Sequence, residues 1–147
     1  MGHVASRNAS LIGQVREWRK LSGAIPGQFE AWLAHRGLES LEVRFDRMCT
    51  TAEKIVQRMQ DHPKVSQVKF PGLPSHPSYL TAKAQMLRFG HLAAVTFENK
   101  VSAERFINSC RFVRAATSFG GLHTSAERRA RWGDDVPESF VPALRRL

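Results

Sequence analysis

Apolar residues recur at steps of three and four through the first part of this chain and at steps of two in short stretches after it. Helices are therefore expected first and a small sheet later. Leu11, Ile12, Val15 and Trp18 oppose Arg16, Glu17 and Arg19, which predicts an amphipathic helix over residues 11–20, ended by Ser22-Gly23. Pro26 suits the first turn of a second helix, carrying Phe29, Trp32 and Leu33 and stopping near Gly37. Leu41, Phe45, Met48, Ala52, Ile55, Val56 and Met59 form one stripe and predict a long helix over Leu41–Gln60, closed by His62-Pro63. Beyond it Val65, Val68 and Phe70 suggest a strand, and residues 78–86 a helix. A buried strand follows at 92–97, then a helix at 102–109 with Ser102 as its N-cap, and a strand at 112–118.

Strand and helix alternate twice after a long linking helix, which argues for an α/β class, a small sheet covered by helices on one face. The division expected is a helical segment, 1–40, and an α/β domain, 41–147. Asp134-Asp135-Val136-Pro137-Glu138-Ser139-Phe140-Val141 has the form of an approach to one more strand. Pro142 and the few residues after it do not continue that pattern, so the domain is expected to lack its last strand.

Between the first strand and the helix at 78–86 lies Phe70-Pro71-Gly72-Leu73-Pro74-Ser75-His76-Pro77. Each proline pins φ near −65° and removes a donor, so the segment can be neither helix nor interior strand and is expected to be a rigid connector.

Composition narrows the function classes. The 22 Lys and Arg against 13 Asp and Glu leave a net charge of +9, but they are scattered, with only the pairs Arg19-Lys20, Arg128-Arg129 and Arg145-Arg146 adjacent. A phosphate-backbone site gathers its cations, so nucleic-acid binding is disfavoured. Cys49 and Cys110 stand apart from each other and from histidines at metal-ligand spacing, which excludes a zinc motif and a disulfide framework. The first residues carry no apolar leader and no stretch has the length of a membrane span, so a soluble, cytoplasmic protein is expected.

Phe70-Pro71-Gly72-Leu73-Pro74-Ser75-His76-Pro77 closely resembles the aromatic-Pro-Gly-Leu-x-Ser-His-Pro segment of the pyridoxal-phosphate (PLP) enzymes of cysteine and methionine metabolism, the cystathionine γ-lyase and γ-synthase type. Gly2-His3-Val4 is similar to the turn after that family's lysine segment. Ser22-Gly23-Ala24-Ile25-Pro26 is similar to its Gly-Ala-hydrophobic-Pro stretch and Arg36-Gly37-Leu38-Glu39-Ser40-Leu41 to its Arg-Gly-Leu-x-Thr-Leu. His62-Pro63-x-Val65 leads into the proline segment as it does there, and Ser118-Phe119-Gly120-Gly121 resembles Ser-Leu-Gly-Gly. The form of residues 117–133 is most similar to actinobacterial cystathionine lyases.

The resemblance implies the C-terminal domain of a fold-type I PLP enzyme. It also implies a substrate-binding set of Thr117, Ser118, Phe119 and Gly120, with Ser118 on the substrate carboxylate and Thr117 helping to choose the substrate. A cystathionine-type amino acid is the implied substrate, and a homo-oligomer or an association with a complementary subunit the implied assembly. The family's Schiff-base lysine, its pyridinium aspartate and its stacked aromatic all match positions ahead of Met1. Lys20, Lys54, Lys64, Lys69, Lys83 and Lys100 fall in helices or connections of the family pattern, so none replaces that lysine. The carboxylate-binding arginine strand is not supplied by Pro142-Ala143-Leu144-Arg145, and Arg145 and Arg146 are poor stand-ins. No catalytic residue and no PLP binding by this chain alone are expected.

Ordinary structural roles compete with these. Ser118 before two glycines also suits a plain strand-to-turn junction. His76, inside the proline segment, is better placed to hydrogen-bond backbone than to act as a base, and His123 has no nucleophile motif beside it. Arg36 and Arg44 are expected in structural ion pairs, and Trp18, Trp32 and Trp132 in packing rather than stacking on bases.

Overall fold

A computed structural model describes residues 2–118, 120, 121, 123–128 and the backbone of 139–143. The chain divides into two compact units, Met1–Glu42 and Val43–Leu147.

The first unit holds α1 (Ala9–Ser22) and α2 (Gln28–Glu39). The Leu11 N–H donates to the Asn8 side chain at 3.1 Å, which caps α1, and Gly23 at φ +69° ends it in the left-handed conformation glycine favours. Pro26 precedes Gly27, the α2 N-cap, so it lies one step outside the helix rather than in its first turn. Gly37 lies inside α2, which runs on to Glu39. Neither helix buries a residue. Arg36 and Glu39 pair at 3.5 Å within α2, both side chains exposed.

In the second unit α3 (Leu41–Gln60) is followed by β1 (Val65–Lys69), α4 (Tyr79–Gln85), β2 (Ala94–Phe97), α5 (Lys100–Ser109), β3 (Val113–Ala115), β4 (Thr124–Arg128) and β5 (Ser139–Ala143). The sheet order is β1-β2-β5-β4-β3, with only β3 and β4 parallel. A strand therefore does occupy 139–143, contrary to the expectation that the last strand is lacking, and it lies in the middle of the sheet. Residues 129–138 and 144–147, with Trp132, Arg145 and Arg146, lie outside the described residues.

Ala93, just before β2, and Val95 and Phe97 within it alternate along the chain and so share one face. Ala103 and Ile107 of α5 pack there with Ala126 of β4, and Ala52 and Val56 of α3 pack there with Phe70. Val65 and Val68 are three apart and would face opposite sides of a regular strand. A register shift between Val65 and Gln67 turns both toward α5. The α3 stripe is buried only from Met48 onward, whereas Phe45 remains 38% exposed. Asn99, not Ser102, caps α5: its Oδ1 accepts from the Ser102 N–H at 2.9 Å.

The proline segment is a run of three turns. The N–H groups of Leu73, His76 and Tyr79 donate to the carbonyls of Phe70, Leu73 and His76 at 2.9, 2.9 and 3.0 Å. Pro71, Pro74 and Pro77 each occupy the second position of a turn, where a fixed φ helps and no donor is needed. The spacing of three places every proline where its missing N–H costs nothing. His76 Nδ1 accepts from the Ser78 N–H at 3.1 Å, the backbone role expected of it. Gly72 lies under two aromatic rings: a Cβ built there would sit 2.7 Å from Phe89 and 2.8 Å from Phe70.

Candidate functional site

The proposed substrate residues lie on the connection between β3 and β4. The sequence suggests one strand over 112–118, but β3 stops at Ala115 and Thr117, Ser118 and Gly120 stand in an exposed loop. Two adjacent parallel strands cannot be joined by a tight hairpin, so the chain must double back, and residues 116–123 make that return. Gly120 supplies part of the reversal at φ +84°. Phe119 lies outside the described residues.

One end of the loop is fastened to β4. Ser125 Oγ donates to the Ser118 carbonyl at 2.6 Å, and the Ala116 N–H donates to the Ala126 carbonyl at 3.2 Å. Ala126 faces α5, so its neighbours Ser125 and Glu127 face the other side of the sheet, and both are buried. Arg128 binds Glu104 of α5 at 3.4 Å, tying the far end of β4 to the helix layer. The loop thus leaves Thr117 and Ser118 exposed on a backbone anchored by buried neighbours. Sequence reasoning missed β4 and the Ser125 anchor; the signal available was Thr124-Ser125-Ala126, short side chains that suit a strand buried on both faces.

Cys49, fully buried on α3, is an inert thiol. Burial pushes its pKa up from the ordinary 9.0, against a backbone hydrogen bond with Gly90 and the nearby Arg88 guanidinium. Arg88 pairs with Asp46, joining the loop after α4 to α3. His123 is exposed in the β3–β4 loop. Among the described residues no His, Cys, Asp and Glu group has the form of a metal site, and no helix is long and apolar enough to cross a membrane.

A PLP site needs a lysine held in a sheltered pocket. Lys20, Lys54, Lys64, Lys69, Lys83 and Lys100 are all exposed, so the lysines of this chain do not fit that cofactor.

A small sheet covered by helices and preceded by a long helix is the architecture of the C-terminal domain of fold-type I PLP enzymes. The chain belongs to the Cys/Met metabolism PLP-dependent enzyme family, whose model matches residues 1–131. It is 46% identical over 142 residues to a Streptomyces coelicolor protein named as a cystathionine gamma-lyase, covering 96% of this chain and 36% of that one. It is 34% identical over 128 residues to a cystathionine beta-lyase of Coxiella burnetii, covering 86% and 33%. It superposes on a methionine gamma lyase of Micromonospora echinospora with a TM-score of 0.87 at 30% identity, over 95% of this chain and 39% of that one. The chain spans about a third of the length of these curated relatives.

Proposed function

We propose that this chain is the substrate-side portion of a PLP-dependent trans-sulfuration enzyme, acting on the C–S bonds of cystathionine-like amino acids once joined by the cofactor-bearing part. What carries this reading is the anchored 116–123 loop in a chain of this family. Ser118 binds the substrate carboxylate through its hydroxyl, helped by donors that Gly120 and Gly121 leave accessible, and Thr117 helps to choose the substrate. The exposed lysines support a second clause: alone, the chain holds no PLP as a Schiff base and is catalytically silent.

The test is a chimera in which residues 22–141 replace their counterpart in a complete relative. It should regain elimination from a cystathionine-like substrate. Ser118→Ala should then cost one charge-assisted hydrogen bond, roughly 1.5–3 kcal/mol, or about ten- to a hundredfold in kcat/KM. Thr117→Glu should change the preferred substrate. A folded, PLP-loaded chimera indifferent to Ser118→Ala would remove Ser118 from the site.

A second reading, a pseudoenzyme module that associates with a partner subunit, is favoured by the first unit. Trp18, Leu21, Phe29 and Trp32 there are 65%, 77%, 65% and 55% exposed, which is apolar area suited to a partner. Co-purification with a full-length relative, lost in Trp18→Glu/Trp32→Glu, tests it.

A further inference from the structure

In the second unit the α3–β1 turn and α5 border an open cleft of about 360 Å³, lined by no described residue of the 116–123 loop. His62 and Lys64 border it from the turn and Arg105 from α5, while Phe97 and Phe106 form its apolar part. Those two rings lie 5.5 Å apart between centroids. Ser102 and Ser109 add hydroxyls, and no carboxylate lines the cleft among the described residues.

The local carboxylate is engaged elsewhere. Glu104, beside Arg105 in sequence, binds Arg128 at 3.4 Å and Lys100 at 4.0 Å. Among the described residues, neither Lys64 nor Arg105 forms an ion pair with an acidic side chain. His62 Nδ1 accepts from the Lys64 N–H at 3.2 Å, so in the neutral ring the proton sits on Nε2 and makes that atom a donor. Every polar group named is therefore able to donate, next to a pair of aromatic rings.

We propose that this cleft binds a small molecule carrying an oxyanion on an apolar body, Lys64 and Arg105 meeting the oxyanion and Phe97 and Phe106 the body. Arg105 presents the planar fork that suits phosphate and carboxylate, Lys64 a point charge. The site is independent of the proposed substrate loop.

Cys110 lines the same cleft and reports on its occupancy, while the buried Cys49 reports on folding. The intact chain is treated with iodoacetamide, an uncharged reagent, and each thiol is followed by mass spectrometry. Phenyl phosphate and benzoate are the two anionic probes, and benzyl alcohol is the neutral control. Both anions should slow Cys110 alkylation saturably, the doubly charged phosphate at the lower concentration, and benzyl alcohol should not. Lys64→Gln/Arg105→Gln should raise the half-protecting concentration at least about tenfold, the loss of about 1.4 kcal/mol of binding. No protection at about 10 mM, beyond the dissociation constant of a weak millimolar site, overturns the proposal. So does equal protection by benzyl alcohol, or protection that survives the double substitution. Should Cys49 become reactive in the double variant, the same criteria apply to the single substitutions.

Discussion

Three glycines separate two physical reasons for having no side chain. At Gly72, φ is not positive, but a Cβ would meet Phe89 Cδ2 at 2.7 Å, Phe70 Cε1 at 2.8 Å and Phe89 Cγ at 2.9 Å. Phe70 is 2% exposed and packs with Ala52, Val56 and Ala93, so it has little room to retreat. Phe89 must move instead, which disturbs its edge-on contact with Phe70, centroids 6.4 Å apart, and its stacking on Tyr79 at 6.3 Å. Overpacking costs about 1–3 kcal/mol and loss of an aromatic pair about 0.5–1.5 kcal/mol, so Gly72→Ala should cost about 2–4 kcal/mol.

Gly120 has open space but φ +84°, and Ala there should cost about 1–2 kcal/mol through backbone strain. Gly121 has neither constraint, so Gly121→Ala should stay within about 0.5 kcal/mol of the parent. Urea unfolding of the four proteins reads the order directly. Phe89→Leu should recover part of the Gly72→Ala loss in a double-mutant cycle, because a smaller side chain yields the space. A Gly72→Ala protein as stable as the parent, or a cycle with no coupling, would refute the argument that ring packing fixes this glycine.

Asn99→Ala removes the α5 cap and should lower stability by about 1 kcal/mol in urea unfolding, whereas Ser102→Ala should have a smaller effect. The Cys49 thiol titrates above its ordinary 9.0 in the folded chain, so between the unfolded and folded values the native state holds more protons. Its contribution to stability is thus complete below about pH 9 and is lost as pH rises further. Urea midpoints at about pH 8 and about pH 10 should fall more steeply in the parent than in Cys49→Ala, and equal slopes would count against it.

Helices were the legible part of this fold because their signal is local. The Leu41–Gln60 stripe and the Ser22-Gly23 stop each lie within a few residues of the feature they specify. The proline segment was legible as a rigid connector, and its period of three explains why. The strands were harder. Val65 and Val68 share a face only because of a register shift set by β2, and β4 is buried on both sides, which erases the alternation that would have announced it. Asn99 was passed over because Ser102 also has a capping side chain, and only the backbone path decides between them. At the candidate site, Ser118 and Gly120 were recognisable from their motif, but the Ser125 hydroxyl that holds the Ser118 carbonyl depends on the fold of the return loop.

The position of β5 has a consequence for synthesis. β1 and β2 form one ribbon and β3 and β4 another, and in the sheet order only β5 joins them. Val95 must wait for Phe140, and Ser125 for Ala143, before the ribbons become one sheet. A nascent chain leaving the ribosome therefore carries two narrow ribbons with open edges until β5 emerges, and isolated two-stranded ribbons are marginal in water. Chaperone engagement should concentrate in that interval, and emergence of β5 should trigger closure of the whole sheet in one step.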